Sequence, residues 1–231
     1  KKYKAAEDTD LSAAQLKELV SNYKKVYLAK VKKPFPQDPY EQLNLSIRAV
    51  FGSWNSERAD KYRQINKISG LMGTAVNICT MVFGNMGPKS GTGVAFTRDG
   101  GTGHSKPMGE YLIDAQGEDV VAGIRTPKDL DDMPNEEDAV WAPAYKELQR
   151  IMAKLEKHYK YPQDVEFTVQ DGKLYMLQTR NAKRTGLAGV RWAVEMATGK
   201  DFYTGESQTK ILSQKEALMS LSGDDLEQLL F

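Results

Sequence analysis

The stretch EFTVQDGKLYMLQTR, Glu166 to Arg180, carries an acid, an amide and a guanidinium among residues otherwise suited to a pair of half-buried strands. With Asp164 just upstream, the polar groups to account for are Asp164, Glu166, Gln178 and Arg180. A carboxylate beside an amide oxygen, here Glu166 with Gln178, makes hard ligands for Mg²⁺, an ion that keeps several waters and shares its remaining positions with phosphates. A nearby arginine can pair with a phosphate oxygen. The competing reading is a solvated salt-bridge patch.

Whether these groups meet depends on one turn. VEFTV and KLYMLQT are joined by QDG. A two-residue Asp171-Gly172 loop pairs Gln170 with Lys173, sets Glu166 against Leu177 and sends Gln178 to the other face. A three-residue loop, with Gln170 and Asp171 in a type I turn and Gly172 left-handed as a bulge, sets Thr168 against Leu174, Glu166 against Met176 and Asp164 against Gln178. The sequence permits both. The second is preferred because it gathers the four polar groups on one face and leaves Val165, Phe167, Val169, Tyr175 and Leu177 to the core side.

A second candidate is the glycine-rich run KSGTGVAFTRDGGTG, in which five glycines are interleaved with hydroxyls and basic side chains. Glycine lets backbone N–H groups come close to phosphates. The run matches neither the P-loop nor the dinucleotide fingerprint, because strand-like VAFT follows where a helix should open. Hairpin turns explain the glycines equally well. Glu110, Glu118 and Asp119, near Arg125, are possible metal or nucleotide contacts or simply solvated acids at strand ends. His104 and His158 have no partners in a triad or metal pattern, and His158 sits where it would complement a helix dipole.

The elements that must position these groups follow from periodicity. Leu16, Leu19, Val20, Tyr23, Val26 and Tyr27 recur at helical spacing behind a possible Ser12 capping box, which predicts a helix with one buried face. Asp38 and Pro39 open a second helix striped by Leu43, Ile47, Val50, Phe51 and Trp54. Residues 1–68 therefore read as a small helical unit. GTAVNICTMVF, VAFT, EYLID and DVVAGIRT are then four strand candidates, suggesting an antiparallel sheet. The acidic stretch PKDLDDMPNEEDAVW reads as a linker into a helix from about Pro143 to Lys160. Residues 69–185 form the sheet-bearing unit, and 186–231 a helical linker.

The 231 residues suffice for one large domain or two small ones. A net charge of +1 provides no overall field for nucleic acid or an anionic membrane. The single cysteine, Cys79, excludes an internal disulfide, fits a reducing compartment and is expected as a small core residue. No apolar run approaches the roughly 18 residues of a membrane span. The chain does not begin with Met and breaks off on DDLEQLLF, so an excised piece of a longer protein is expected.

Taken in order, AVFGSWNSERADKYR, GTAVN with MVFGN, SGTGVAFTR, GEYLIDAQGEDVVAGIRTP and DVEFTVQDGKLYMLQTRNAKRT resemble the pyruvate, phosphate dikinase family over most of residues 8–185. The resemblance implies an α+β fold, part of an ATP-grasp nucleotide-binding domain, mainly antiparallel sheet with packed helices. It implies an enzyme that converts ATP, phosphate and pyruvate to AMP, diphosphate and phosphoenolpyruvate, passing the β-phosphoryl group through a histidine on a separate domain. Glu166 and Gln178 would meet Mg²⁺ and the ATP phosphates, and Asp164 and Arg180 would complete the pocket. The loop Ser90, Gly91, Thr92 and Gly93 would lie over the phosphates, with Met81 and Val82 beside the adenine.

By the same resemblance the partners are ATP, an N-terminal grasp subdomain bearing Lys and Arg, and the phosphohistidine domain, both outside this stretch. The full-length enzyme is expected as a homo-oligomer in the cytoplasm or an organelle such as a plastid or glycosome. This stretch alone is expected to be inactive. Two alternatives stand: a related ATP-grasp dikinase such as phosphoenolpyruvate synthase, and a non-catalytic interaction module docking through the helices of 1–68.

Overall fold

The computed structural model describes residues 10–123 and 125–229. The chain divides into two compact units, Lys1–Cys79 and Thr80–Phe231.

In the first unit, helix α1 (Ala13–Val31) starts where Ser12 and Gln15 close a capping box, the Gln15 backbone N–H donating to Ser12 Oγ at 3.3 Å and the Ser12 N–H to Gln15 Oε1 at 2.7 Å. Helix α2 (Pro39–Ser53) starts with Asp38 capping the Tyr40 N–H, and α3 (Glu57–Ile65) follows behind Ser56. The expected buried face of α1 is not filled: none of the three helices has a buried residue, and Leu16, Val20, Tyr23 and Val26 are exposed. A stripe at helical spacing reports what a helix can bury; it buries it only where a second surface is supplied. Cys79, expected in a core, is exposed.

The second unit is built on an antiparallel five-stranded sheet in the order β3-β2-β1-β4-β5, comprising β1 (Gly91–Phe96), β2 (Met108–Ile113), β3 (Lys128–Asp129), β4 (Gln163–Gln170) and β5 (Lys173–Asn181). With its packed helices this is the expected α+β architecture. Helix α5 (Trp141–Tyr159) lays Trp141, Ala144, Leu148 and Met152 onto one sheet face, against Ala95, Val165, Phe167 and Val169. Each large side chain fully buried there is worth about 1.5–3 kcal/mol.

Two of the four strand candidates are corrected. GTAVNICTMVF forms no strand, and the region of DVVAGIRT forms a short helix, α4 (Gly117–Ala122). The Gln116 N–H donates to Asp119 Oδ2 at 2.7 Å and Gly123 takes φ 66°, so end-capping outweighs the β-branched valines. The acidic linker is also structured: it supplies β3 and a 3₁₀ turn, Leu130–Asn135, which buries Leu130 and Met133. Beyond β5, α6 (Gly186–Thr198) builds a small core of its own from Ala188, Trp192, Ala193 and Met196 with Leu212 and with Ala217 of α7 (Gln214–Met219). Helix α8 (Gly223–Glu227) is tied back by Asp225, both of whose carboxylate oxygens accept from the Arg184 guanidinium.

Candidate functional site

The β4–β5 hairpin turns through two residues, not three. Gln170 pairs with Lys173, and Asp171 (φ 49°) and Gly172 (φ 78°) are both left-handed, the conformation of a two-residue turn matched to strand twist. Neighbouring chain holds this turn: the Asp171 N–H donates to Ser90 Oγ at 3.0 Å and the Gly172 N–H to Lys89 O at 2.8 Å. The three-residue register and its pairings are therefore overturned. Continued unbroken, the two-residue register would set Glu166 against Leu177.

A bulge intervenes. Phe167 pairs with Met176 and Glu166 with Gln178, leaving Leu177 as the extra residue. Val165 then faces Thr179, and Asp164 faces Arg180. Glu166, Gln178, Asp164 and Arg180 thus gather by a route other than the one expected. The core side of β5 is Leu174 and Met176, not Tyr175 and Leu177; Leu177 is 52% exposed.

The face away from α5 is one wall of an open groove of about 750 Å³. Alternation along β1 and β4 sends the side chains of Thr92, Val94, Glu166 and Thr168 into it, while Phe167 faces the core and Gly93 presents only backbone to the groove. A strap formed by Met81, Val82, Phe83 and Gly84 makes the apolar side, and Gln116 with Glu118 the end of α4. The strap is fastened by the Phe83 N–H donating to Gln170 Oε1 at 2.8 Å and by Gly84 O accepting from the Ala115 N–H at 3.0 Å.

Of the residues singled out in the sequence, Met81, Val82, Thr92, Gly93, Glu166 and Arg180 line the groove. Gln178, Asp164 and Ser90 are not in its lining; Ser90 is fully buried, its hydroxyl taken by the Asp171 turn. Gly91 packs under Trp141, where a Cβ would lie 2.7 Å from the ring. The expected glycine loop is therefore the start of β1, and the Thr92 hydroxyl donates to Phe167 O at 3.1 Å. Arg125 donates to the Asp114 and Ile113 carbonyls. Phe83, Val94, Thr168 and Leu177 were missed as lining; the period-two alternation that exposes Glu166 marks Thr168 as well.

Electrostatics centres on Arg180. Its Nε donates to Asp164 Oδ2 at 2.7 Å and its Nη2 lies 3.6 Å from Glu166 Oε1, and the bond to Asp164 raises the guanidinium above its usual pKa. Asp164 is mostly buried, and its Oδ1 has no hydrogen-bond partner. Among the described residues no group of three or more His, Cys, Asp or Glu is placed to hold a metal on its own. The donors available, the Glu166 carboxylate and the Gln178 amide across from it, suit an ion that completes its shell with water and ligand oxygens.

Residues 6–140 and 130–200 match the family described as pyruvate phosphate dikinase, AMP/ATP-binding domain. The chain belongs to this family. Similar dikinases include pyruvate, phosphate dikinase 2 of Zea mays, 60% identical over 189 residues, covering 82% of this chain and 21% of that protein. The chloroplastic pyruvate, phosphate dikinase 1 of Arabidopsis thaliana is 54% identical over 223 residues, 96% of this chain and 22% of its own length. That of Oryza sativa subsp. japonica is 53% identical over 223 residues, with the same coverage of each. The chain thus spans about a fifth of the length of the curated dikinases it matches. Among the described residues no helix is long and apolar enough to cross a membrane.

Proposed function

We propose that the groove binds ATP with Mg²⁺, as the nucleotide-binding portion of a pyruvate, phosphate dikinase. In that enzyme the β-phosphoryl group passes to a histidine on another domain and then to pyruvate, yielding phosphoenolpyruvate, AMP and diphosphate. The observation that carries this reading is the cross-strand pairing of Glu166 with Gln178 beside an Arg180 already oriented by Asp164.

Phosphoryl transfer asks the protein chiefly to position the phosphates and offset their charge. Glu166 and Gln178 would hold Mg²⁺, which when bound supplies charge neutralisation to the phosphates. Arg180 keeps N–H groups not used by Asp164 for a phosphate oxygen. Met81, Val82, Phe83 and Leu177 supply an apolar wall that excludes water from a flat base. The nucleotide site is shared with a grasp subdomain outside this stretch, so residues 1–231 alone bind nucleotide weakly and do not turn over.

Titration with Mg·ATP followed by backbone amide shifts tests the location. Shifts clustered at Thr92, Gly93, Glu118, Glu166 and Arg180 are expected. Saturable shifts that leave these positions unmoved would exclude the groove.

A further inference from the structure

On the opposite side of the sheet from the groove lies a second cleft, of about 470 Å³. Its walls are the chain just past β1 (Thr97 and Arg98), Ser105 and Pro107, one face of α5, and the segment from Gln208 to Ile211. Helix α5 contributes Arg150, Lys154 and Lys157, spaced i, i+4, i+7 and hence on one face. Among the described residues the one carboxylate in the lining, Glu156, is already held by Arg98, whose Nε donates to its two oxygens at 3.0 and 3.1 Å and whose Nη2 donates at 2.7 Å.

Asp201, behind the wall, is also engaged: it accepts from Ser105, from Gln208 Nε2 at 2.9 Å and from the Tyr203 and Thr204 N–H groups, both at 2.8 Å. Arg150 has only a loose contact with Glu147, 3.7 Å away on the exposed side. The lining therefore carries three cations that no lining acid balances, in a chain whose net charge is only +1.

We propose that this cleft binds a small phosphate-bearing anion. Three cations with the Thr209 hydroxyl and the Gln149 amide suit an anion carrying at least two charges, as phosphates do. Among the described residues no aromatic side chain is in the lining, which disfavours a stacked nucleobase, and the concavity fits a small molecule better than a protein surface. The site is separate from the groove and stands independently of the nucleotide reading.

The probes are inorganic diphosphate and glycerol 3-phosphate, titrated at constant ionic strength set with chloride and followed by calorimetry and amide shifts. Shifts at Thr97, Ser105, Lys154, Lys157 and Thr209 are expected. Lys154→Glu with Lys157→Glu should weaken binding by at least about tenfold, while Lys17→Glu, an exposed charge reversal on α1, leaves it unchanged. Lys154→Ala with Lys157→Ala should act in the same direction, which keeps the test valid if charge reversal disturbs α5. Tighter diphosphate binding assigns the site to free diphosphate, and tighter ester binding to a phosphorylated metabolite; both support it. Shifts confined to the groove, unchanged affinity in both lysine double variants, or equal shifts from chloride alone would overturn it.

Discussion

Glu166 stands directly across from Gln178 because Leu177, the residue between Gln178 and Met176, has no partner on β4. The bulge compensates for the turn: a two-residue loop would have carried Gln178 away from Glu166, and one extra residue brings it back. Deleting Leu177 should therefore leave the pairing intact, since the turn alone then sets Glu166 against Gln178. Cross-strand NOEs between Glu166 and Gln178 should persist. Nucleotide affinity should fall by about tenfold, the size expected for one apolar contact. Loss of those NOEs in a folded protein would show that the bulge does not set the register.

Arg180 is the groove's fixed cation. Replacing it with Ala strands a mostly buried Asp164 with neither oxygen paired, a loss of about 1–3 kcal/mol in stability. Arg180→Lys should recover less than half of that, because an ammonium cannot reproduce the guanidinium's directed N–H set. Urea melts of the three proteins check this. Equal stability of Arg180→Ala and wild type would refute the role given to the pair.

Two glycines carry steric weight. A Cβ on Gly93 would lie 2.5 Å from Glu110 O and 2.7 Å from Phe167 Cζ, and one on Gly172 would lie 2.9 Å from Val140 Cγ1 at a φ of 78°. Gly93→Ala forces β1 away from β2 or Phe167 from its site, at about 1–3 kcal/mol. Gly172→Ala adds left-handed strain of about 1–2 kcal/mol. Thermal melts should place both below Gly117→Ala, where a Cβ meets nothing within 4 Å.

Buried ion pairs give the second unit opposed pH responses. Arg98 donates to Glu156 and, through Nη1 at 2.6 Å, to Glu195, joining the end of β1 to α5 and α6. Burial pushes Glu195 above the usual carboxylate range. Its folded pKa exceeds the unfolded one, so its contribution is present below the unfolded pKa and is lost as pH rises through the folded value. Asp225 behaves the other way: its bonds to Arg184 hold it well below the usual range, so its contribution is present at neutral pH and lost as pH falls through the folded value.

Glu195→Gln should flatten the fall in stability as pH rises above the usual carboxylate range, and Asp225→Asn should flatten the loss in acid. Arg98→Ala, which leaves two buried carboxylates unpaired, should cost about 3–5 kcal/mol. Denaturant midpoints across pH measure all three. A Glu195→Gln profile parallel to wild type would contradict the assignment.

The sequence showed which residues matter more clearly than how they come together. Alternation in VEFTV placed Val165, Phe167 and Val169 in the core and Glu166 opposite them, because a strand's period is set by covalent geometry. The turn was not legible: QDG suits two loops, and Ser90 and Lys89, about eighty residues earlier, decide between them. Nor was the bulge, since nothing local separates Leu177 from Met176. GTAVNICTMVF has strand composition but finds no ladder, whereas the glycines of SGTG are there because Trp141 and Phe167 crowd β1. Capping signals at Ser12 and Asp38 act within one turn and could be read directly, whereas the β-branched valines of DVVAGIRT suggest a strand that the Gln116–Asp119 contact turns into α4.

The most direct measurement is the Mg²⁺-dependent ATP affinity of Glu166→Ala and Gln178→Ala, determined by calorimetry beside the wild-type chain. Each substitution should weaken binding at least about tenfold in the presence of Mg²⁺ and much less in its absence, as expected for groups that act through the metal. Wild-type affinity retained by both variants in Mg²⁺ would contradict the assignment of this face as the metal–phosphate site.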